Sequence, residues 1–199
     1  MLPAVANKKD QLRELLVSRS SYRGFSSQPV ELKTLSEILY YAAGIVRVDK
    51  DNPKELRRPY PSAGAKYPLE IYPLVLYGKD IPPGLYHYDV TTHALDVLLS
   101  PVLPQELQNI WMSQQWFRKA AVIFIITAVY KRTTDKYGEL GLPFPFIEAG
   151  HVVQNVYLLA QTMDIGCCTI GQFKENELIS LLDINPNDEF PIYYVALGN

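Results

Sequence analysis

Cysteine, histidine and tryptophan are scarce in this 199-residue sequence, at two, three and two copies. The cysteines, Cys167 and Cys168, are adjacent, and a bond between neighbours would be strained. With no disulfide framework and no Cys-x-x-Cys metal pair, the chain is expected in a reducing cytoplasm. His87, His93 and His151 lack metal-ligand spacing, and nothing ties His151 to either cysteine as a thiol hydrolase would need. No pair of carboxylates stands out among Glu70, Glu139 and Glu148, so glycosidase-like chemistry has no support. Charge of one sign is also missing. Scattered basic residues and a formal net charge of -2 exclude a nucleic-acid or anionic-membrane footprint. The longest apolar run, residues 120–129, is about half a membrane span, and MLPAVANKKD is no signal peptide.

What is present suits one domain over residues 1–199 with an α+β pattern. Leu12, Leu15 and Leu16 follow Asp10 at helical spacing. A second helix carries Leu32, Leu35, Ile38, Leu39 and Ala42 and ends at Gly44. Residues 46–65 read as a long irregular segment of the functional or mobile kind. Strands are predicted over 71–77, 85–89 and 94–99, with Pro73 demanding an edge or bulge. Pro104 opens a helix to about Met112, and 121–129 reads as a central strand. A second irregular stretch, 131–145, precedes a buried helix over 147–163 with Gly166 as its C-cap. A strand near 168–170, a helix over 175–182 and a strand over 192–197 close the chain.

Three motifs could carry chemistry. In RSSYR, Arg19 and Arg23 are separated by the hydroxyls of Ser20, Ser21 and Tyr22, a plausible cradle for a phosphate or an electron-rich heterocycle. A basic helix C-terminus is the plainer reading of those five residues alone. In PYPSAGAKYPLE, small residues at 62–65 allow close backbone approach to a flat ligand between stiffening prolines. A tight turn before a strand serves equally, and the spacing fits neither a Walker loop nor GxGxxG. In IGCCTIGQF, Gly171 could present its N–H to a ligand or simply make a turn, and the cysteines read as buried small hydrophobes.

Taken in order, these pieces resemble the nitroreductase-like flavoprotein family, closest to its SagB-type dehydrogenase branch. The resemblance runs from about Leu15 to Leu197. Its signposts are RSSYRGF, RPYPSAGAKYPLEIYPLV, GLYHYDVTTHALDVL, QQWFRKAAVIFIITAVY, FIEAGHVVQNVYLLAQTMDIGCCTIGQF and IYYVALG.

The resemblance implies an α+β fold with a central, mostly antiparallel sheet flanked by helices, two interlocked chains and FMN at each interface site. Arg19, Ser20, Ser21 and Arg23 would hold the phosphate, ribityl chain and pyrimidine edge. Pro61, Ser62, Ala63, Gly64 and Ala65 would lie against the isoalloxazine, expected to be the partner's. Gln114, or else Gln115, would reach the flavin from the chain that supplies the arginines. Ile170 and Gly171 would sit over the ring, with the Gly171 N–H facing flavin N5.

The implied activity passes electrons from NAD(P)H through FMN to a small nitro, quinone or similar acceptor, with ping-pong kinetics. The branch implies an alternative, oxidation of azoline rings during peptide maturation, where a Lys-Tyr pair assists proton removal. Lys66 and Tyr67 are such a pair, although a surface lysine beside a core tyrosine is the favoured reading of those two residues. The sequence shows no extra domain for gripping a leader peptide, which favours the first activity. A flavin-binding dimer without turnover is a third possibility. In many relatives a basic segment beyond the last strand also clasps the phosphate. This sequence stops at Asn199, so FMN is expected to be exchangeable and held chiefly by Arg19 and Arg23.

Overall fold

Asp10 opens the first helix by accepting the Arg13 N–H at 2.9 Å, one of the four donors that a helix leaves unpaired at its start. The computed structural model describes residues 1–3, 10–48, 56–101, 107, 110, 116–170 and 173–199. Helix α1 spans Gln11–Ser18, where its leucine spacing places it. It buries no residue, and Leu12, Leu16 and Val17 are exposed. Strand β1 (Val30–Glu31) leads into α2 (Leu32–Ala43), which buries Leu35, Ile38, Leu39 and Ala42 before Gly44. The stretch read as irregular contains a small antiparallel ribbon, β2 (Arg47–Val48) with β3 (Leu56–Arg57).

The main sheet uses β4 (Leu69–Val75), β6 (Gly84–Asp89), β7 (Ala94–Leu99), β8 (Val122–Val129), β9 (Gly166–Ile170) and β10 (Glu189–Gly198). Their order is β7-β6-β4-β8-β10-β9, with every pairing antiparallel. A short β5 (Gly78–Lys79) pairs with β1 in parallel. The apolar run forms central β8 because both sheet faces are covered. Val122, Phe124 and Ile126 enter one core layer, and Ile123 and Ile125 enter the other. Pro73 lies in an interior strand, but β6 ladders to β4 only at Leu74 and Val75, so the missing N–H interrupts no rung there.

Helix α4 (Phe144–Thr162) packs with α2 on the first face, and α5 (Glu175–Leu182) covers the second beside Phe117 and Phe173. Two expectations change. Residues 131–145 are largely helical: α3 (Lys131–Tyr137) is followed by a 3-10 turn, Gly138–Gly141. Helix α3 buries only Thr133 and so has no apolar stripe to read. A Lys131–Asp135 ion pair at 2.6 Å holds it, with the Thr133 and Thr134 hydroxyls donating to the Tyr130 carbonyl. Gly166 does not cap α4, whose cap is Met163; it begins β9. The helix predicted over 104–112 lies outside the described residues except for Leu107 and Ile110, both buried. Among the described residues no helix is long and apolar enough to cross a membrane.

A polar network crosses the second face of the sheet. His87 Nε2 meets Glu70 Oε2 at 2.9 Å, and the Arg132 guanidinium bonds the other Glu70 oxygen. Burial pulls the Glu70 carboxyl up, but His87 and Arg132 outweigh it and hold the group below its ordinary 4.5. The Glu70 bond raises the His87 imidazole above 6.5, against burial. Glu70 therefore stabilises the fold above 4.5 and loses that contribution as pH falls through its lowered value. His87 contributes fully below 6.5 and fades as pH rises through its raised value. The stability gap between wild type and Glu70→Gln should be widest between 4.5 and 6.5. Above that window it should shrink to the share owed to Arg132. Urea unfolding across the pH range measures it, and a flat gap contradicts the linkage.

Candidate functional site

The segment after α1 is stapled to β9. The Arg19 N–H caps α1 on the Leu15 carbonyl at 3.0 Å, and the Tyr22 N–H donates to the Cys167 carbonyl at 2.9 Å. The Tyr22 ring lies on Gly166, where a Cβ would come within 2.0 Å of Tyr22 Cδ1. The glycine is needed for that close approach rather than for a helix cap. Ser21 Oγ is 3.1 Å from the Tyr157 hydroxyl of α4, which also accepts the Thr169 N–H at 3.0 Å.

The two arginines stand on aromatic rings. The Arg19 guanidinium lies 5.3 Å from the centroid of the Tyr157 ring, and that of Arg23 lies 5.8 Å from the Trp116 ring. Among the described residues no carboxylate pairs with either. Two cations left without anions, on a loop fixed by main-chain bonds, leave charge-assisted donors for an external anion. Against Tyr157 opens a cleft of about 350 Å³ lined by Ser18, Ser20, Tyr22, Tyr157, Cys167 and the carboxylate Asp164, within the usual range for a small-molecule pocket; neither arginine lines it. Burial pushes the Cys167 thiol up, so it is no thiolate nucleophile.

The 61–65 loop is built differently. Its 3-10 turn, Ala63–Ala65, carries left-handed backbone at Gly64 (φ 59) and Ala65 (φ 52), and Tyr67 (φ 46) follows. Left-handed residues that carry a Cβ cost about 1–2 kcal/mol each, so other bonds must hold this shape. Glu148 of α4 accepts the Ser62 hydroxyl at 2.9 Å and the Ala63 N–H at 3.0 Å. Ser62 Oγ in turn accepts the Tyr67 N–H at 2.8 Å.

Within one chain these two loops do not surround one pocket. Tyr157 and Glu148 are nine residues apart on α4, which is about 13.5 Å and half a turn. The arginine loop and the 61–65 loop therefore meet opposite sides of the helix, and no residue of 61–65 lines the cleft.

The Ile170 side chain is 1% exposed within the second core layer, leaving its backbone to meet any ligand. Gln114, Gln115 and Gly171 lie outside the described residues. Lys66 is exposed. The Tyr67 hydroxyl accepts the Arg58 N–H at 3.2 Å, and its ring packs edge-on against Tyr60.

The structure brings a second Lys-Tyr pair to the loop. A Cβ on Gly64 would lie 2.5 Å from the Tyr137 hydroxyl and 2.7 Å from Lys136 Nζ. The dipeptide is plain in the sequence, but no apolar stripe marks its segment as a helix, and only folding places it across Gly64.

A model of the nitroreductase family matches residues 16–199. A Methanocaldococcus jannaschii protein named as a candidate nitroreductase is 36% identical over 188 residues, covering 94% of this chain and 90% of the relative. The chain belongs to the nitroreductase family.

The microcin B17-processing protein McbC of Escherichia coli is 24% identical over 179 residues. That match covers 85% of this chain and 62% of McbC, so the chain spans less than two thirds of that relative. A candidate nitroreductase from Ralstonia eutropha superposes with a TM-score of 0.77 at 25% identity, covering 100% of this chain and 87% of that one. A chain of the E. coli microcin synthetase McbBCD complex, with truncated pro-MccB17 bound, also gives 0.77 at 20% identity, covering 100% and 75%. A Desulfovibrio desulfuricans nitroreductase solved with FMN gives 0.63 at 17% identity, covering 96% and 87%. The last two speak for the fold alone.

Proposed function

We propose that this nitroreductase-family chain is an FMN-dependent oxidoreductase working as a homodimer, with each site assembled from both copies. The observation that carries the reading is the pair of guanidinium groups of Arg19 and Arg23, without a carboxylate partner among the described residues, on the loop whose Ser20 and Tyr22 line the cleft. The residues fit the cofactor. Arg19, Arg23, Ser20 and Ser21 offer donors to a phosphate and a ribityl chain, and the 61–65 loop offers small residues and exposed backbone to a flat ring. When bound, FMN would take two electrons and a proton from NAD(P)H and pass them to a small organic acceptor. This chain's residues bind, orient and shield.

Two features favour a second copy. The loops face opposite sides of α4, so completing a site takes the 61–65 loop of another chain. Leu12, Leu16 and Val17 of α1 and Phe146 and Ile147 of α4 are also left exposed, apolar side chains that a second copy could cover. The cytoplasm remains the proposed compartment, resting on the two reduced, buried cysteines.

A second reading has a specific observation behind it. Lys136 and Tyr137 at Gly64 place an amino group and a hydroxyl beside the ring-facing loop, the pair an azoline dehydrogenase would use. Because Tyr67 is engaged with Arg58 and Tyr60, we assign that role to Lys136 and Tyr137 in preference to Lys66 and Tyr67.

Stopped-flow mixing of the FMN-loaded protein with NADH or NADPH tests the main reading. Loss of the oxidised flavin's visible absorbance, reversed by a nitro or quinone acceptor, is expected. No reduction by either donor, with oxidation of an azoline peptide instead, selects the second reading.

A further inference from the structure

Glu148 lies beneath the 61–65 loop, 2% exposed, and its two oxygens occupy unlike surroundings. Oε1 gathers the Ser62 hydroxyl and the Ala63 N–H. Oε2 is buried and has no hydrogen-bond partner among the described residues. A bare anionic oxygen in such a place is strongly disfavoured. A carboxylic acid replaces that penalty by the smaller one of a neutral O–H, carrying its proton on Oε2 and keeping Oε1 as the acceptor.

The geometry points to Glu148 as the positioning residue of the ring-facing loop, clamping it as a neutral acid. This rests on the reading of 61–65 as the loop that lies against the flavin. The clamp fixes the turn at Ser62 and Ala63, and through Ser62 Oγ it fixes the Tyr67 N–H. The left-handed residues Gly64 and Ala65 are thus held from both ends. Ionisation would draw water to Oε2 and loosen the loop.

The charged and titratable groups around the carboxyl are His151 on α4 and Arg58 and Tyr60 on the segment entering the loop. Lys136 and Tyr137 of α3 lie against Gly64. Burial pushes the carboxyl above its ordinary 4.5, outweighing the Ala63 and Ser62 bonds and the charges of His151 and Arg58.

The unfolded chain ionises near 4.5 while the folded one stays neutral. Wild type therefore loses stability as pH rises from there through the raised value. Glu148→Gln mimics the neutral acid and escapes that loss.

The test is amide exchange of residues 61–67 in flavin-free protein against pH, corrected for intrinsic exchange, together with FMN titration of the same proteins. Protection at Ala63 and Tyr67 should fall with rising pH in wild type and stay flat in Glu148→Gln. The melting temperature of Glu148→Gln relative to wild type should climb over the same range. Glu148→Ala should leave the loop open and bind FMN about tenfold more weakly at every pH. One shared pH profile for wild type and Glu148→Gln, or a loop as open in Glu148→Gln as in Glu148→Ala, overturns the proposal. If exchange behaves as described but FMN affinity ignores every variant, the clamp stands and the flavin-facing reading of the loop falls.

Discussion

Replacing Arg19 and Arg23 together by alanine should weaken FMN binding about 100- to 10,000-fold, from two charge-assisted contacts of about 1.5–3 kcal/mol each. The fold should survive. Among the described residues the two guanidinium groups overlie Tyr157 and Trp116, contacts of about 0.5–1 kcal/mol each when exposed. The loop itself is held by main-chain bonds from Arg19 and Tyr22 that alanine leaves intact. Riboflavin, which lacks the phosphate, supplies the control. Wild type should prefer FMN strongly, and the double variant should bind both ligands alike. A double variant that keeps the FMN preference would place the phosphate elsewhere.

Gly166→Ala should act on the same site from the opposite side. Its Cβ would fall 2.0 Å from Tyr22 Cδ1 and 2.7 Å from the Gly198 carbonyl oxygen, closer than atoms can approach. Either the Tyr22 ring leaves, or β9 and the arginine loop part. Overpacking of this kind costs about 1–3 kcal/mol of stability, and displacing Arg19 and Arg23 should cut FMN affinity about tenfold or more. Adding Tyr22→Ala removes the ring that clashes. The double variant should then recover part of the loss, a non-additivity that marks two residues in contact. Two independent, additive losses in thermal melts would show that Tyr22 and Gly166 do not form this staple.

Much of the fold was legible because it is local. Asp10 followed by leucines at helical spacing gives α1, and β7 and α5 have the bounds their residues suggest. The apolar run gives central β8 because a strand buried on both faces has nothing to alternate. Helix α3 was illegible for the opposite reason: it buries one threonine and lives on an ion pair and two hydroxyl bonds.

The site was legible in part. RSSYR and PSAGA announce themselves by composition, but what shapes them comes from far along the chain. Ser62 meets Glu148 across 86 positions, and Ser21 meets Tyr157 across 136. No periodicity encodes such meetings. The same holds for Gly166, whose neighbour Tyr22 explains it better than any cap rule, and for Lys136 and Tyr137, which reach Gly64 only through α3.

The proposed function requires that the folded chain bind FMN. Thermal unfolding of protein shown to be flavin-free, with FMN added at about 100 times its dissociation constant, should report about 2.7 kcal/mol of added stability. No shift in saturating FMN would contradict it.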